Sequence, residues 1–226
     1  METELNATGY AYNDTNYKAE LQKILCGVFA CYKMMLNDKI QVLNNENKIR
    51  DCLLIDYLKN DAVRKITELA GNFLFDREVP EDKTEGRTDI KVQTKNSFTQ
   101  TDAYYIIECK RLDNKNQTGL SGLNAEYIKN GIYRFVTKHY SAFYRVNAMI
   151  GFIVEKLDIC FNIKNINTLL KNRFENCNTT KYIQAESFIP DFKFHYCSEH
   201  NDIDNNTFTL YHLMLDFSDN IKPCSK

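Results

Sequence analysis

Apolar residues recur along this chain with two different spacings, and the spacings predict which segments are helices and which are strands. Apolar residues three or four positions apart indicate helices, whereas short alternating or continuous apolar runs indicate strands. The predicted helices are residues 17–36, 45–59, 61–70, 123–138 and 163–175. The predicted strands are residues 72–79, 89–92, 104–110, 147–155, 192–197 and 208–217. Because helices and strands are interspersed, the pattern predicts an α/β fold.

The chain has the length and composition of one globular domain. Its 226 residues can bury a substantial core, and 43% hydrophobic with 26% charged residues is a globular composition. Residues 1–16 are polar and are predicted to form a leader ahead of the first helix. No apolar run approaches the length needed to cross a membrane. The eight cysteines include no C-x-x-C pair, which argues against structural zinc, and with the acidic N-terminus they predict reduced thiols in a cytoplasmic protein.

The predicted strand 104–110 is apolar until its end, where charged residues appear. Alternation places Glu108 and Lys110 on one face of this strand. A carboxylate and an ammonium group at such a place are costly to bury unless they are paired or bind a metal. If the strand that carries Asp89 pairs with this one, Asp89 comes to lie beside Glu108. Two carboxylates at one point suit Mg²⁺ or Mn²⁺, and a nearby lysine can orient a water or offset charge on a phosphate oxygen.

These residues resemble the two halves of a known motif. Thr88-Asp89 and Glu108-Cys109-Lys110 are similar to the motif of the PD-(D/E)XK nuclease superfamily, with Thr88 where the family has proline. The resemblance implies that Asp89 and Glu108 hold Mg²⁺ (or Mn²⁺), that Cys109 lends its backbone carbonyl, and that Lys110 assists the attacking water. The alternative is a pair of solvated strand ends, since charged residues often end strands.

The resemblance also implies a fold. The superfamily has a restriction-endonuclease-like, three-layer α/β/α core around a central mixed sheet, and the order of predicted elements over about residues 45–155 matches it. The N-terminal helix and a C-terminal hairpin are then additions to that core.

Glu46 lies on the apolar stripe of the second predicted helix. In the resembled superfamily a glutamate on the helix before the sheet often joins the metal site, so Glu46 is a candidate for a fourth catalytic residue. The alternative is a glutamate that is favoured in a first helical turn by the helix dipole.

Basic and tyrosine residues outnumber acidic ones in the segment 103–145, although the whole chain has a net charge of −1. A local basic surface is what contact with phosphate requires, and the run 126–140 looks like the helix that follows the motif in bacterial restriction-like nucleases. The candidates for nucleic-acid contact are Arg87, Arg111, Tyr127, Arg134 and Lys138. The alternative places Tyr127 in the core and Arg134 on a solvated face. The histidines at 195, 200 and 212 are not clustered in sequence and are expected to be structural.

The resemblance therefore implies a metal-dependent nuclease that hydrolyses the phosphodiester bonds of DNA as an endonuclease or exonuclease. By analogy alone, it suggests bacterial defence against foreign DNA, including antiviral defence. RNA stays open as a substrate, and so does the choice between a homodimer and a partner subunit of a defence system. The alternative function is a catalytically inactive nuclease-fold subunit that binds nucleic acid or a partner protein.

Overall fold

A mixed sheet of seven strands forms the centre of the computed structural model, which describes residues 11–77, 88–140 and 143–223. The strands are β1 (Leu74–Arg77), β2 (Ile90–Gln93), β3 (Tyr104–Leu112), β4 (Val146–Ile153), β5 (Thr179–Ala185), β6 (His195–Asn201) and β7 (Thr207–Asp216). Their order across the sheet is β1-β2-β3-β4-β7-β6-β5. The central strands β3, β4 and β7 run parallel, and the outer pairs are antiparallel. The chain is therefore an α/β protein with a mixed sheet.

Two of the helical regions include π-helical turns. The α-helices are α1 (Ala11–Asn37), α2 (Glu46–Asp51), α3 (Asp61–Ile66), α4 (Leu123–Tyr127), α5 (Tyr133–Val136) and α6 (Ile159–Asn172). A π-helical segment, Cys52–Leu58, continues α2, and a second one, Ile128–Ile132, joins α4 to α5. Short 3₁₀ helices lie at Lys95–Phe98 and Glu175–Cys177. Among the helices described, none has the length and apolar character to span a membrane.

Alternation along β3 contributes to two separate hydrophobic clusters. Tyr105 and Ile107 belong to a cluster that includes buried residues of α1 and of the first π-helical segment. Tyr104 and Ile106 belong to a second cluster, which includes residues of α6 and of the second π-helical segment. Because neighbouring residues of a strand point to opposite faces, each face of the sheet is covered by its own core.

Several sequence predictions differ from the observed elements. Residues 11–16 belong to α1 rather than to a polar leader. Strand β5 was not predicted, because it lies at the edge of the sheet and only Ile183 is buried along it. The predicted C-terminal hairpin exists as β6 and β7, but β7 also pairs with β4, so the hairpin is part of the central sheet and not an addition to it.

The segment before α2 is tied to residues near position 220. Val42 and Ile221 form an isolated parallel bridge. The Val42 N–H donates to the carbonyl of Asn220, and the Lys222 N–H donates to the carbonyl of Val42, both at 2.8 Å. These bonds fix the approach of the chain to the first turn of α2.

Candidate active site

The pairing of β2 with β3 brings Asp89 next to the charged end of β3. Ile90 is opposite Ile107, so Asp89, which directly precedes β2, lies at the level of Glu108. Its Oδ2 accepts a hydrogen bond from the backbone N–H of Cys109 at 2.8 Å. The sequence placed Asp89 on the strand, whereas it lies one residue before the strand begins.

The ammonium group of Lys110 lies among oxygens from three elements. Its Nζ is 2.7 Å from Glu108 Oε1 and 2.7 Å from the Cys109 carbonyl oxygen. It is 3.2 Å from Glu46 Oε1 and 3.7 Å from Asp89 Oδ2. Burial alone would lower the pKa of Lys110, but the three carboxylates raise it above its ordinary value. Lys110 therefore stays protonated.

The carboxylate of Glu108 is fully buried and has further partners. Tyr140 donates its hydroxyl proton to Oε2 at 2.6 Å, and Arg134 Nη1 donates to Oε1 at 3.1 Å. Burial, and then the charge of Asp89, raises the pKa of Glu108 to about 7, although Lys110 acts in the opposite direction. Glu108 therefore exchanges its proton near neutral pH.

A buried arginine holds the other oxygen of Asp89. Arg50, on α2, donates from Nη1 to Asp89 Oδ1 at 2.8 Å, and its side chain is only 2% exposed. The same guanidinium donates to Asp51 Oδ1 from Nε and Nη2. Each carboxylate of the site thus has at least one cationic side chain against it.

Glu46 reaches the site from the first turn of α2. The side chain of Asn45 caps this helix by accepting from the Lys48 N–H. Besides its ion pair with Lys110, Glu46 accepts a hydrogen bond at Oε2 from the backbone N–H of Arg111 at 3.1 Å. Both interpretations of the sequence therefore describe it: Glu46 stands in a first helical turn and also contacts the charged end of β3.

Sequence reasoning did not identify two residues of the site, Arg50 and Tyr140. Arg50 follows Glu46 by four positions, a spacing that puts two side chains on one side of a helix, and this was the available signal. Tyr140 lay within the tyrosine-rich run 126–140 but had no feature that set it apart from Tyr133 or Tyr144.

Tyr127 cannot contact nucleic acid, so its assignment as a nucleic-acid residue is wrong. Its side chain is fully buried, and its hydroxyl is 2.8 Å from His212 Nδ1. Tyr127 lies in the core, which is the alternative that the sequence left open.

The other candidates for nucleic-acid contact have different surroundings. Arg134 is 37% exposed, and its Nη1 lies 3.1 Å from Glu108 Oε1. Lys138 lies beyond the end of α5 and pairs with Asp204 at 2.5 Å, so the structure does not bring it to Glu108. Arg111 donates from Nη1 to the carbonyl and side-chain oxygens of Asn44. Arg87 lies outside the described residues.

Ion pairs also neutralise much of the basic segment 103–145. Lys115 pairs with Glu155 at 2.5 Å, and Arg145 pairs with Asp202 at 2.8 Å. The excess of basic residues in the sequence therefore does not form one uncompensated positive surface.

Two of the histidines belong to a buried hydrogen-bonded chain. Ser198 Oγ lies 2.9 Å from His200 Nε2 and 2.8 Å from His212 Nε2, and His212 in turn contacts the Tyr127 hydroxyl. Burial lowers the pKa of His200 to about 4 and that of His212 to about 3. Both rings are neutral at neutral pH and link β6, β7 and α4, which is a structural role.

The oxygens around Lys110 have the chemistry of a site for a hard cation. Asp89 Oδ2, Glu108 Oε1 and the Cys109 carbonyl all face one ammonium nitrogen, so a positive charge is already held at this point. Carboxylate and carbonyl oxygens are the ligands that Mg²⁺ and Mn²⁺ prefer, so the donor set fits. Within residues 11–77, 88–140 and 143–223, no group of three or more His, Cys, Asp or Glu side chains meets the geometric requirements of a metal site. The carboxylates here face the ammonium group of Lys110.

Comparison with known proteins gives no relative: no family model, no curated protein and no solved structure matches this chain. The geometry of the site is therefore what bears on its function.

Proposed function

We propose that this protein is a Mg²⁺-dependent nuclease of PD-(D/E)XK type that hydrolyses phosphodiester bonds in DNA. The convergence of Asp89, Glu108 and the Cys109 carbonyl on the ammonium group of Lys110 carries the proposal. It joins an acidic oxygen site to a charged lysine, which is the combination that metal-assisted phosphodiester hydrolysis uses.

A restriction-endonuclease-like, three-layer core is part of the same proposal. The two hydrophobic clusters on opposite faces of the sheet support it, and so does the position of the charged residues at the end of a central strand.

Asp89, Glu108 and the Cys109 carbonyl would hold the Mg²⁺ (or Mn²⁺) ion. Bound there, the ion supplies positive charge that acidifies a water and offsets the charge that develops on the phosphate. Lys110 stays protonated, so it donates hydrogen bonds to a water or phosphate oxygen and does not act as a base. Glu46 holds the Lys110 ammonium from the helix side.

Among the residues that the structure describes, Arg134 is our candidate for contact with the substrate. It is partly exposed and lies against Glu108, and a guanidinium can bind a phosphate through two hydrogen bonds. A role in defence against foreign DNA and a cytoplasmic location belong to this proposal by analogy only.

One observation favours the second candidate function, a catalytically inactive subunit that binds nucleic acid or a partner protein. Asp89, Glu108 and Glu46 each have a cationic side chain of the protein as a partner, so their charge is offset within the chain itself.

The test is a cleavage assay on plasmid and linear DNA with Mg²⁺, Mn²⁺ or EDTA. Asp89→Asn and Lys110→Met should each lower the rate by a factor of about 100 or more, as the loss of one group that stabilises the transition state does. Asp76→Asn, which alters an exposed carboxylate paired with Lys59, is the matched control and should cleave normally. Cleavage that survives EDTA, or that persists in Asp89→Asn, would contradict the proposal. A wild-type protein that binds DNA without cleaving it with either metal would support the inactive subunit.

A further inference from the structure

Arg50 is a buried arginine that forms an ion pair with Asp89. We infer that Arg50 is the positioning residue of Asp89: it fixes the carboxylate so that Oδ2 faces the charged end of β3. The inference rests on the proposed function, because it concerns how the proposed cation ligand is held.

The guanidinium of Arg50 works as a fork between two carboxylates. Nη1 donates to Asp89 Oδ1 at 2.8 Å, while Nε and Nη2 donate to Asp51 Oδ1 at 3.1 and 2.8 Å. Its side chain is almost wholly buried, so packing also restricts it. The guanidinium therefore joins Asp51, at the end of the same helix, to Asp89.

Each carboxylate oxygen of Asp89 accepts a hydrogen bond. Oδ1 is taken by Arg50, and Oδ2 accepts from the Cys109 N–H and faces Lys110. A carboxylate held from two directions has lost its rotational freedom before any cation or substrate binds. Preorganisation of this kind is what makes a ligand effective.

The same helix also holds the lysine. Glu46 and Arg50 are one turn apart on α2, and they make opposite ion pairs, Glu46 with Lys110 and Arg50 with Asp89. The helix thus places a carboxylate against the lysine of the motif and a guanidinium group against its aspartate.

A lysine at position 50 would keep the charge but could not reproduce the fork. Arg50→Lys therefore separates orientation from electrostatics. The matched control is Arg77→Lys, because Arg77 donates to Asp51 Oδ2 at 3.0 Å rather than to Asp89 and is about half exposed. Both substitutions keep the net charge and change one arginine partner of Asp51.

The experiment has two readouts. The first is steady-state cleavage of a short duplex with Mg²⁺, and the second is Mn²⁺ binding measured by calorimetry without DNA. Arg50→Lys should lower kcat about 10–100-fold with KM unchanged, and should weaken Mn²⁺ binding by about tenfold, the usual effect of losing a residue that orients a metal ligand. Arg77→Lys should match the wild-type protein in both measurements.

Asp51→Ala provides a second variant in case Arg50→Lys does not fold. It removes the anchor of the fork and leaves Arg50 and Asp89 in place, so kcat should fall again while KM stays constant. If each of these two variants that folds behaves like Arg77→Lys, Arg50 is only a structural ion pair and the inference fails. If the wild-type protein neither binds Mn²⁺ nor cleaves, the proposed function fails, and the inference fails with it. The wild-type measurements thus separate the two failures.

Discussion

Replacing Lys110 with methionine tests whether its ammonium group is the shared counter-charge of the site. The substitution keeps most of the buried aliphatic volume and removes the positive charge. Glu108 then loses a partner at 2.7 Å, and Glu46 loses one at 3.2 Å. The three carboxylates then keep only their other partners: Arg50 and the Cys109 N–H for Asp89, Arg134 and Tyr140 for Glu108, and the Arg111 N–H for Glu46.

The expected loss in the free energy of unfolding follows from the burial of the ion pair between Lys110 and Glu108. Removing one partner of a buried ion pair costs about 3–5 kcal/mol, because the remaining charge stays in a poorly hydrated place. Glu108 can relieve part of this cost by binding a proton, since its pKa is already about 7 and Lys110 is one of the groups that lower it. We therefore expect a loss of about 3 kcal/mol in the free energy of unfolding at pH 8.5 and a clearly smaller loss at pH 5.5.

The sign of this pH dependence can be worked out from Glu108. Its pKa in the folded protein lies above the ordinary value of 4.5, so its contribution to stability is complete below pH 4.5 and is lost as the pH rises through about 7. Without Lys110 the pKa of Glu108 rises further. The difference in stability between wild type and variant therefore grows with pH.

Urea unfolding followed by circular dichroism at pH 5.5 and 8.5, with and without Mg²⁺, measures these differences. Mg²⁺ should restore part of the lost stability, because a bound divalent cation can replace the ammonium charge. Lys115→Met is the control: Lys115 is exposed and pairs with Glu155, so no measurable change is expected. A Lys110→Met protein as stable as the wild type at pH 8.5, or one whose loss is the same at both pH values, would refute the reasoning.

Three further predictions concern the surroundings of the site. Burial lowers the pKa of His212 from 6.5 to about 3, so the ring stays neutral in the folded protein. Urea titrations should therefore show the stability of the wild-type protein falling as the pH drops below 6.5, and His212→Gln should reduce that dependence. Tyr140→Phe removes the 2.6 Å hydrogen bond to Glu108 and should cost about 1.5–3 kcal/mol in urea unfolding at pH 8.5, with slower cleavage; unchanged values would remove Tyr140 from the site. In Gly122→Ala the new Cβ would overlap the backbone oxygen of Asn116, so thermal unfolding should show a loss of about 1–3 kcal/mol, and an unchanged melting temperature would contradict this contact.

The part of the site that the sequence predicted depends on local geometry. Strand alternation placed Glu108 and Lys110 on one face, and a single strand pairing brought Asp89 to them. Arg50 and Tyr140 could not be predicted in the same way, because their roles depend on how a helix and a loop pack against that strand. A local sequence pattern does not indicate how close the helix and the loop come to the strand.

The errors in the fold prediction have similar causes. The helical spacing was wrong for Lys138, because α5 ends at Val136 and Lys138 has a positive φ of 56°. The order of the strands across the sheet could not be predicted either, since no local pattern in residues 207–216 indicates that this strand pairs with β4. The pairing of β7 is a long-range contact, whereas the strand and helix periods are local.

The place of β7 in the sheet has a consequence for synthesis of the protein. While the ribosome makes the chain, β4 emerges well before β7, its partner on one side. Until residues 207–216 are available, the nascent chain presents the open edge of a strand whose residues are all buried in the finished protein. Unpaired apolar edges of this kind recruit other strands, so nascent chains that end between β4 and β7 are the forms most dependent on chaperones.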